Sequence, residues 1–318
     1  MKAIVFEKVK SSKTLVLREV PKPIPQDHDV LVRIHTASVN ALDYRPIQMG
    51  IGMPKSRIFG ADIVGIVEAV GGQVSTFKPG DMVVGDISDN GCGGFAEYVA
   101  VAEDALVLKP AAITDEFAAA VPVAAVTALQ ALRDKGDIKP GMNVLIYGAG
   151  GGVGTYAVQL ASYFGAHVTA VCSARNTELV RSLGASEVID YTLEDITTSN
   201  RHFDRIIAIN GHHLLSAYKR ILAPDGMLVM VGGSLKQILT ALFFGSFLSL
   251  GNRKIRTLAA KPNVRDLEFV LELVVSGKLR PVIDRRYPLE QTAKAMQYVS
   301  DGHAQGKVVI TYCIAFAV

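Results

Sequence analysis

The sequence predicts an α/β protein, a doubly wound parallel sheet joined to a β-rich, partly closed antiparallel barrel. Three observations predict it. Residues 143–172 read as a buried strand, a glycine-rich turn, an amphipathic helix and a second buried strand. Before Val121 the chain is a series of short β-rich runs punctuated by Pro and Gly. After Val121 strand and helix patterns alternate, the order that builds a parallel sheet with helices on both faces.

The glycine-rich segment carries the most information. Val144 to Tyr147 form the first apolar run and Val168 to Cys172 the second. Between them Val153, Tyr156, Ala157, Leu160, Ala161 and Phe164 recur at helical spacing, and Gly165 supplies a stop. Aligned on Gly154, the pattern G-x-G-x-x-G falls on Ala149, Gly151 and Gly154, so its first glycine is replaced; a G-x-x-G-x-x-G reading uses Gly148, Gly151 and Gly154. A bare glycine triplet is a weak signal. The strand before it, the helix after it and the second strand make it a dinucleotide turn. In that role glycines give a tight turn, close approach to the pyrophosphate and close helix–strand packing. The helix N-terminus then offers N–H groups and a positive dipole end to the phosphates, with Gly151, Gly152 and Val153 facing them.

Bulk properties exclude several classes. At 318 residues the chain has room for one large or two medium domains, and 49% hydrophobic with 20% charged residues describes an ordinary globule. A net charge of +3 with no Lys/Arg run gives no footprint for nucleic acid. The opening residues read as a strand and not as a signal-peptide core. Cys92, Cys172 and Cys313 are far apart, which predicts neither a disulfide framework nor a structural zinc site, and fits thiols in a reducing cytoplasm. The apolar stretch 235–250 contains Lys236, Gln237 and Gly245 and is short for a membrane span. It reads as a helix covering a cleft or an oligomer interface, with peripheral membrane contact as the alternative; no integral membrane segment is expected.

In order along the chain, strands are predicted at 3–6, 15–19, 30–37, 65–70, 82–85 and 96–100, and helix from Ala118. After the glycine turn come helix 178–183, strands 187–189 and 203–209, helix 214–222, and strands 227–231 and 255–259. Helix 266–275 follows, then strands at 281–283 and 307–310. The last two are expected to return to the first domain. The predicted domains are 1–121, 122–277 and the returning segment 278–318.

A β-rich domain, a nucleotide domain and a return to the first resembles the medium-chain dehydrogenases and reductases, in particular their zinc-independent quinone oxidoreductase branch. The residues that carry the resemblance are Ser38-Val39-Asn40-Ala41-Leu42-Asp43, Phe59-Gly60-Ala61-Asp62-Ile63-Val64-Gly65 and Lys78-Pro79-Gly80-Asp81. Further along are Gly94-Phe95-Ala96-Glu97-Tyr98, Val126-Thr127-Ala128, the glycine turn, Leu183-Gly184-Ala185 and Gly306-Lys307-Val308-Val309-Ile310. The resemblance implies a GroES-like domain, a Rossmann domain, a homodimer and hydride transfer from NADPH to a quinone or an α,β-unsaturated carbonyl. Zinc alcohol dehydrogenases of this superfamily carry Cys where Asn40 stands and His-Glu where Ala61-Asp62 stand, so no metal site is expected. Without a Lewis acid to lower an alcohol's pKa, a conjugated acceptor is the easier partner for a hydride. Two alternatives stay open: an NAD(P)-dependent alcohol or aldehyde oxidoreductase, and an NADPH-binding protein with little turnover.

Cofactor choice rests on the end of the second strand. An NAD-preferring fold places Asp or Glu there to accept from the ribose 2′-OH. Here Cys172 is followed by Ser173 and Arg175, donors suited to a 2′-phosphate, which predicts NADPH. Solvation of Arg175 and turn capping by Ser173 are the plainer readings. By resemblance, Tyr191 closes over the same phosphate, and Thr127 meets the nicotinamide-side phosphate or ribose unless it caps a helix start. Asn210, Gly211, Gly232 and Gly233 end two further strands of the sheet, where ligands sit in open α/β folds.

The substrate is expected in the cleft between domains. Asn40 and Asp43 resemble its polar lining, and Tyr44 either bonds a substrate carbonyl and donates a proton or packs as a barrel aromatic. Asp62 orients Asn40 or caps a turn. Lys307 reaches cofactor or substrate, or is a solvated strand lysine. His212 and His213 invite a metal or acid–base reading, but as adjacent histidines at a strand–helix turn without a third ligand they read as solvated.

Overall fold

The chain opens on an antiparallel hairpin of β1 (Lys2–Val9) and β2 (Ser12–Glu19), with Val5 opposite Val16. The computed structural model describes residues 1–9, 12–211, 213–232 and 252–312. Five strands come next: β3 (Asp29–Val39), β4 (Asp62–Val70), β5 (Met82–Asp86), β6 (Tyr98–Ala102) and β7 (Leu106–Leu108). The parallel strands are β8 (Asn143–Tyr147), β9 (His167–Cys172), β10 (Glu187–Asp190), β11 (Phe203–Ile209), β12 (Leu222–Val231) and β13 (Lys254–Leu258). The chain then adds β14 (Ile283–Pro288) and β15 (Lys307–Thr311).

β14 and β15 join β3, β4, β5 and β7 in one sheet of order β14-β15-β3-β4-β5-β7, with β6 on the side of β3. Its pairs are antiparallel except β14 with β15. Among the described residues the end strands β14 and β7 do not pair with each other, and the sheet stays open. The other sheet is parallel throughout, in the order β10-β9-β8-β11-β12-β13. Its reversal between β8 and β11 is the switch point of a doubly wound sheet. Both sheets rest on apolar layers, with Leu145, Val171, Ile206 and Leu228 in the parallel one and Val32, Ile63, Val83 and Val101 in the other.

The chain divides into two compact units. One holds Met1–Ala124, Pro262–Gly277 and Pro281–Val318, the other Ala125–Lys261 and Lys278–Arg280. This division groups residues 262–277 with the first unit, where the sequence expectation runs the nucleotide domain to residue 277. Helix Val264–Val275 buries Leu267, Val270, Leu271 and Val274 and packs by β7, so its segment belongs with the first unit.

Several elements differ from the sequence expectation. Helix Ala41–Met49 is not among the expected elements, because Pro46 sits inside it and its apolar pattern is weak. Helix Thr292–Ser300 and strand β7 were not predicted, and β14 begins at Ile283 instead of residue 281. The predicted apolar helix 235–250, Gly233, His212 and Cys313 lie outside the described residues. Among the described residues, no helix is long and apolar enough to cross a membrane.

Candidate active site

The parallel sheet places five of the predicted cofactor residues along one edge. Gly148 follows β8, Ser173 follows β9, Tyr191 follows β10, Asn210 follows β11 and Gly232 follows β12, each the first residue past the carboxyl end of its strand. The five strands are neighbours in the sheet. Asn210 at φ 51° and Gly232 at φ 72° turn the chain with left-handed backbone, and the Asn210 N–H donates to Val231 O at 3.2 Å. Ser173 opens a short turn, Ala174–Asn176, on which Arg175 is exposed; Tyr191 is also exposed.

Close contacts explain the spelling of the glycine turn. Gly148 has φ 84°, and a Cβ there would lie 2.4 Å from Ile209 O; a Cβ on Gly154 would lie 2.1 Å from Gly148 O. The middle glycine, Gly150, is tight for a reason that sequence reading missed: its Cβ would meet the Asn176 amide at 2.3 Å. Ala149 is fully buried, so a methyl group is accommodated at the position where the common pattern has glycine. Gly151 is different, with nothing nearer than 3.7 Å to its Cβ position. Gly151, Gly152 and Val153 are half-buried at the start of helix Gly152–Tyr163, whose residues from Gly154 to Ala161 are buried. Unpaired N–H groups of a first helical turn beside open space suit a pyrophosphate.

Thr127 is the sixth residue of helix Pro122–Leu129, so it does not cap the helix start. The solvated-histidine reading of His213 is also corrected. Its ring packs edge-on against Tyr147 at 5.4 Å and Tyr218 at 5.6 Å, and its Nε2 lies 3.9 Å from Asp195. Burial pushes the thiol of Cys172 up to about 11 and that of Cys92 to about 12, so neither is a nucleophile at neutral pH.

The other polar cluster lies in the first unit and is built by sheet register. Ser38 stands opposite Asp62 across β3–β4, and Asp62 opposite Asp86 across β4–β5. Val308 stands opposite Val39, which brings Lys307 beside Asn40 at the end of β3. Asp62 is fully buried and accepts from Ser38 Oγ, from Asn40 Nδ2 at 2.8 Å and from the Val123 N–H at 2.9 Å. It therefore both orients Asn40 and caps the helix that begins at Pro122. Asn40 and Asp43 form a capping box on helix Ala41–Met49, with the Asn40 N–H donating to Asp43 Oδ2 at 2.7 Å. Gly60, at φ 99°, turns its N–H to Asp43 Oδ1 at 3.1 Å; a Cβ there would strike Phe95 N at 2.6 Å. Burial raises the carboxyl of Asp43 to about 7, and burial with the charge of Asp62 raises Asp86 to about 7. Tyr44 packs, partly buried, against the cluster of Phe6, Phe59 and Phe95, and burial raises its phenol above the usual value.

Lys307 is corrected most. It is 2% exposed, and its ammonium donates to Asn40 Oδ1, to Asp62 Oδ2 at 3.3 Å and to Val39 O at 3.4 Å. Three acceptors engage its three hydrogens, so it is neither solvated nor left with a donor for a cofactor. Elsewhere in this unit, Met53 and Lys55 line a cavity of about 930 Å³ with Leu42, Phe59 and Cys92. Asn40, Asp43 and Tyr44 are not among its lining residues.

Two family models match the chain, the alcohol dehydrogenase GroES-like domain over residues 26–111 and the zinc-binding dehydrogenase over residues 183–310. With the parallel sheet and its glycine turn, these define an oxidoreductase of Rossmann type. The chloroplast envelope quinone oxidoreductase homolog of Arabidopsis thaliana is 35% identical over 306 residues, 92% of each chain. The 2-methylene-furan-3-one reductase of Solanum lycopersicum is 34% identical over 92% of this chain and 74% of its own. The structure of the quinone oxidoreductase from Coxiella burnetii matches with a TM-score of 0.85, covering 98% of this chain and 99% of its own at 29% identity. The chain belongs to the quinone oxidoreductase-like branch of the medium-chain dehydrogenases and reductases.

The residues present do not fit the zinc of the second family's name. Among the described residues, no group of three His, Cys, Asp or Glu side chains could hold a metal. Where the zinc-site residues would stand, an amide (Asn40) and a carboxylate (Asp62) face an ammonium with no lone pair, which occupies the space between them.

Proposed function

We propose that this chain is a zinc-independent, NADPH-dependent oxidoreductase that reduces a quinone or an α,β-unsaturated carbonyl. The observation that carries the reading is the ammonium of Lys307 against Asn40 and Asp62. A buried site whose cation is an ammonium has no Lewis acid to activate an alcohol, whereas an acceptor already conjugated to oxygen needs only a donor at that oxygen. The names of the Arabidopsis and tomato relatives, a quinone oxidoreductase and a furanone reductase, support acceptors of this kind.

NADPH supplies the hydride when bound. The chain's own residues bind and orient. Gly148, Gly151, Gly152 and Val153 offer the phosphate cradle, with Thr127, Asn210 and Gly232 completing the cofactor contacts. Ser173, Arg175 and Tyr191 receive the 2′-phosphate, Arg175 by a charge-assisted bond that NADH cannot make. Asn40 donates to the acceptor oxygen as negative charge gathers there, and Asp43 holds Asn40 at the helix start. Tyr44 keeps its proton, since burial raises its phenol, and is the donor that completes reduction. The same reading makes the chain a cytoplasmic homodimer paired through β13, which among the described residues has a neighbour only on its β12 side.

The test is turnover of the purified chain with NADPH or NADH against a panel of quinones, enones and aldehydes, followed by loss of nicotinamide absorbance. Quinone or enone reduction with preference for NADPH is expected. Turnover of aldehydes alone, abolished by a chelator, would contradict the reading. Tight NADPH binding without turnover of any acceptor would favour a binding protein.

A further inference from the structure

A carboxamide has an ambiguous polarity, because turning it over exchanges an acceptor for two donors. Around Asn40 that ambiguity is removed from both sides. Asp62 Oδ2, an acceptor, lies 2.8 Å from Nδ2, and the ammonium of Lys307, which can only donate, meets Oδ1. Turning the amide over would set an oxygen against a carboxylate and an NH₂ against an ammonium, two repulsive contacts in a site where Asn40 is 7% exposed and Asp62 fully buried. Asp62 is itself held by Ser38 Oγ and the Val123 N–H, so the clamp has fixed walls.

We propose that Lys307, with Asp62, is a positioning residue that fixes the Asn40 carboxamide as an obligate hydrogen-bond donor to the substrate oxygen. The inference rests on the reading above, in which Asn40 meets that oxygen. Nδ2 carries two hydrogens, and Asp62 takes one. The other remains on the donor side of the amide, with Oδ1 already held by the ammonium. The site therefore selects ligands whose contacting atom accepts, a carbonyl or an enolate oxygen, and discriminates against one that must donate. Lys307 does this without touching substrate, and its chemistry stays entirely within the first unit.

The test has a structural arm and a kinetic arm, both on the full-length chain. In protein labelled with ¹⁵N-asparagine, the Asn40 side-chain amide is identified by its loss in Asn40→Asp. Its hydrogens are expected to exchange slowly in the parent and at least about tenfold faster in Lys307→Met, since the buried partner is gone. The double variant Lys307→Met/Asp62→Asn removes both buried charges together and is the fallback if the single variant does not fold. In NADPH-dependent reduction of a benzoquinone, either variant is expected to lose about tenfold in kcat with KM for NADPH within about twofold of the parent. Introduced into Asn40→Ala, Lys307→Met is expected to change kcat by less than about twofold, because its route to the substrate is already absent. Unchanged amide exchange overturns the clamp. Loss of the same factor with and without Asn40 overturns the positioning role and leaves only a structural one. A parent that reduces no quinone or enone contradicts the functional reading, while the exchange arm still decides the clamp.

Discussion

The ammonium of Lys307 lies 3.3 Å from Oδ2 of Asp62, a contact between two buried side chains 245 residues apart in the chain. The register of β15, β3 and β4 makes the pair, and helix Ala41–Met49 with Pro122–Leu129 closes around it through Asn40 and Val123. Removing one partner strands the other charge. Asp62→Leu is expected to destabilise the chain by about 3–5 kcal/mol, as for other broken buried pairs, whereas Asp62→Leu with Lys307→Met is expected to recover most of that loss. Urea unfolding of the four proteins checks it; equal losses in the single and double variants would contradict the pairing.

Asp43 gives the site a pH signature. Its carboxyl titrates near 7 in the folded chain against an ordinary value of 3.8. Between those values the folded state holds the extra proton, so this group's contribution to stability is fully present below pH 3.8, falls as pH rises through 7, and is constant above. Asp86 is raised to about 7 as well and adds to the same slope. Asp43→Asn is expected to flatten the decline in stability between about pH 4 and 7. A profile of denaturation midpoint against pH for both proteins checks this, and superimposable slopes would contradict it.

The glycine turn separates folding from binding. Gly148→Ala puts a Cβ 2.4 Å from Ile209 O at φ 84°, so it is expected to cost about 1–3 kcal/mol of stability. Gly151→Ala meets nothing nearer than 3.7 Å and is expected to fold with an unchanged melting temperature while binding NADPH at least about tenfold more weakly, its methyl standing where backbone must approach phosphate. Thermal melts and nicotinamide fluorescence titrations distinguish the two; normal NADPH affinity in Gly151→Ala would move the phosphate elsewhere.

Arg175 tests the choice of nicotinamide. Arg175→Ala is expected to raise KM for NADPH about tenfold or more, the value of a charge-assisted bond, and to leave KM for NADH nearly unchanged. Equal effects on the two cofactors would remove the 2′-phosphate assignment.

What could be read from the sequence divides along the range of the interactions. The parallel sheet was legible because each strand carries its own apolar run and each helix its own period, and Gly148, Ser173, Tyr191, Asn210 and Gly232 follow strands that can be located locally. Asn40 and Asp43 were singled out by resemblance. Their partner Lys307 was misread, because only strand register brings it to Asn40, and a lysine opening a strand looks solvated in isolation. Gly150 escaped for the same reason: its neighbour, Asn176, belongs to another loop. Helix Val264–Val275 shows its apolar face in sequence but not which sheet that face covers, and it groups with the first unit.

The most direct test of the central claim is a steady-state comparison of benzoquinone reduction by NADPH in metal-free buffer, with and without chelator, on protein whose zinc content has been measured. The account predicts full turnover by zinc-free protein, no effect of the chelator, and a lower rate with NADH. Turnover that requires zinc and disappears with the chelator would contradict it.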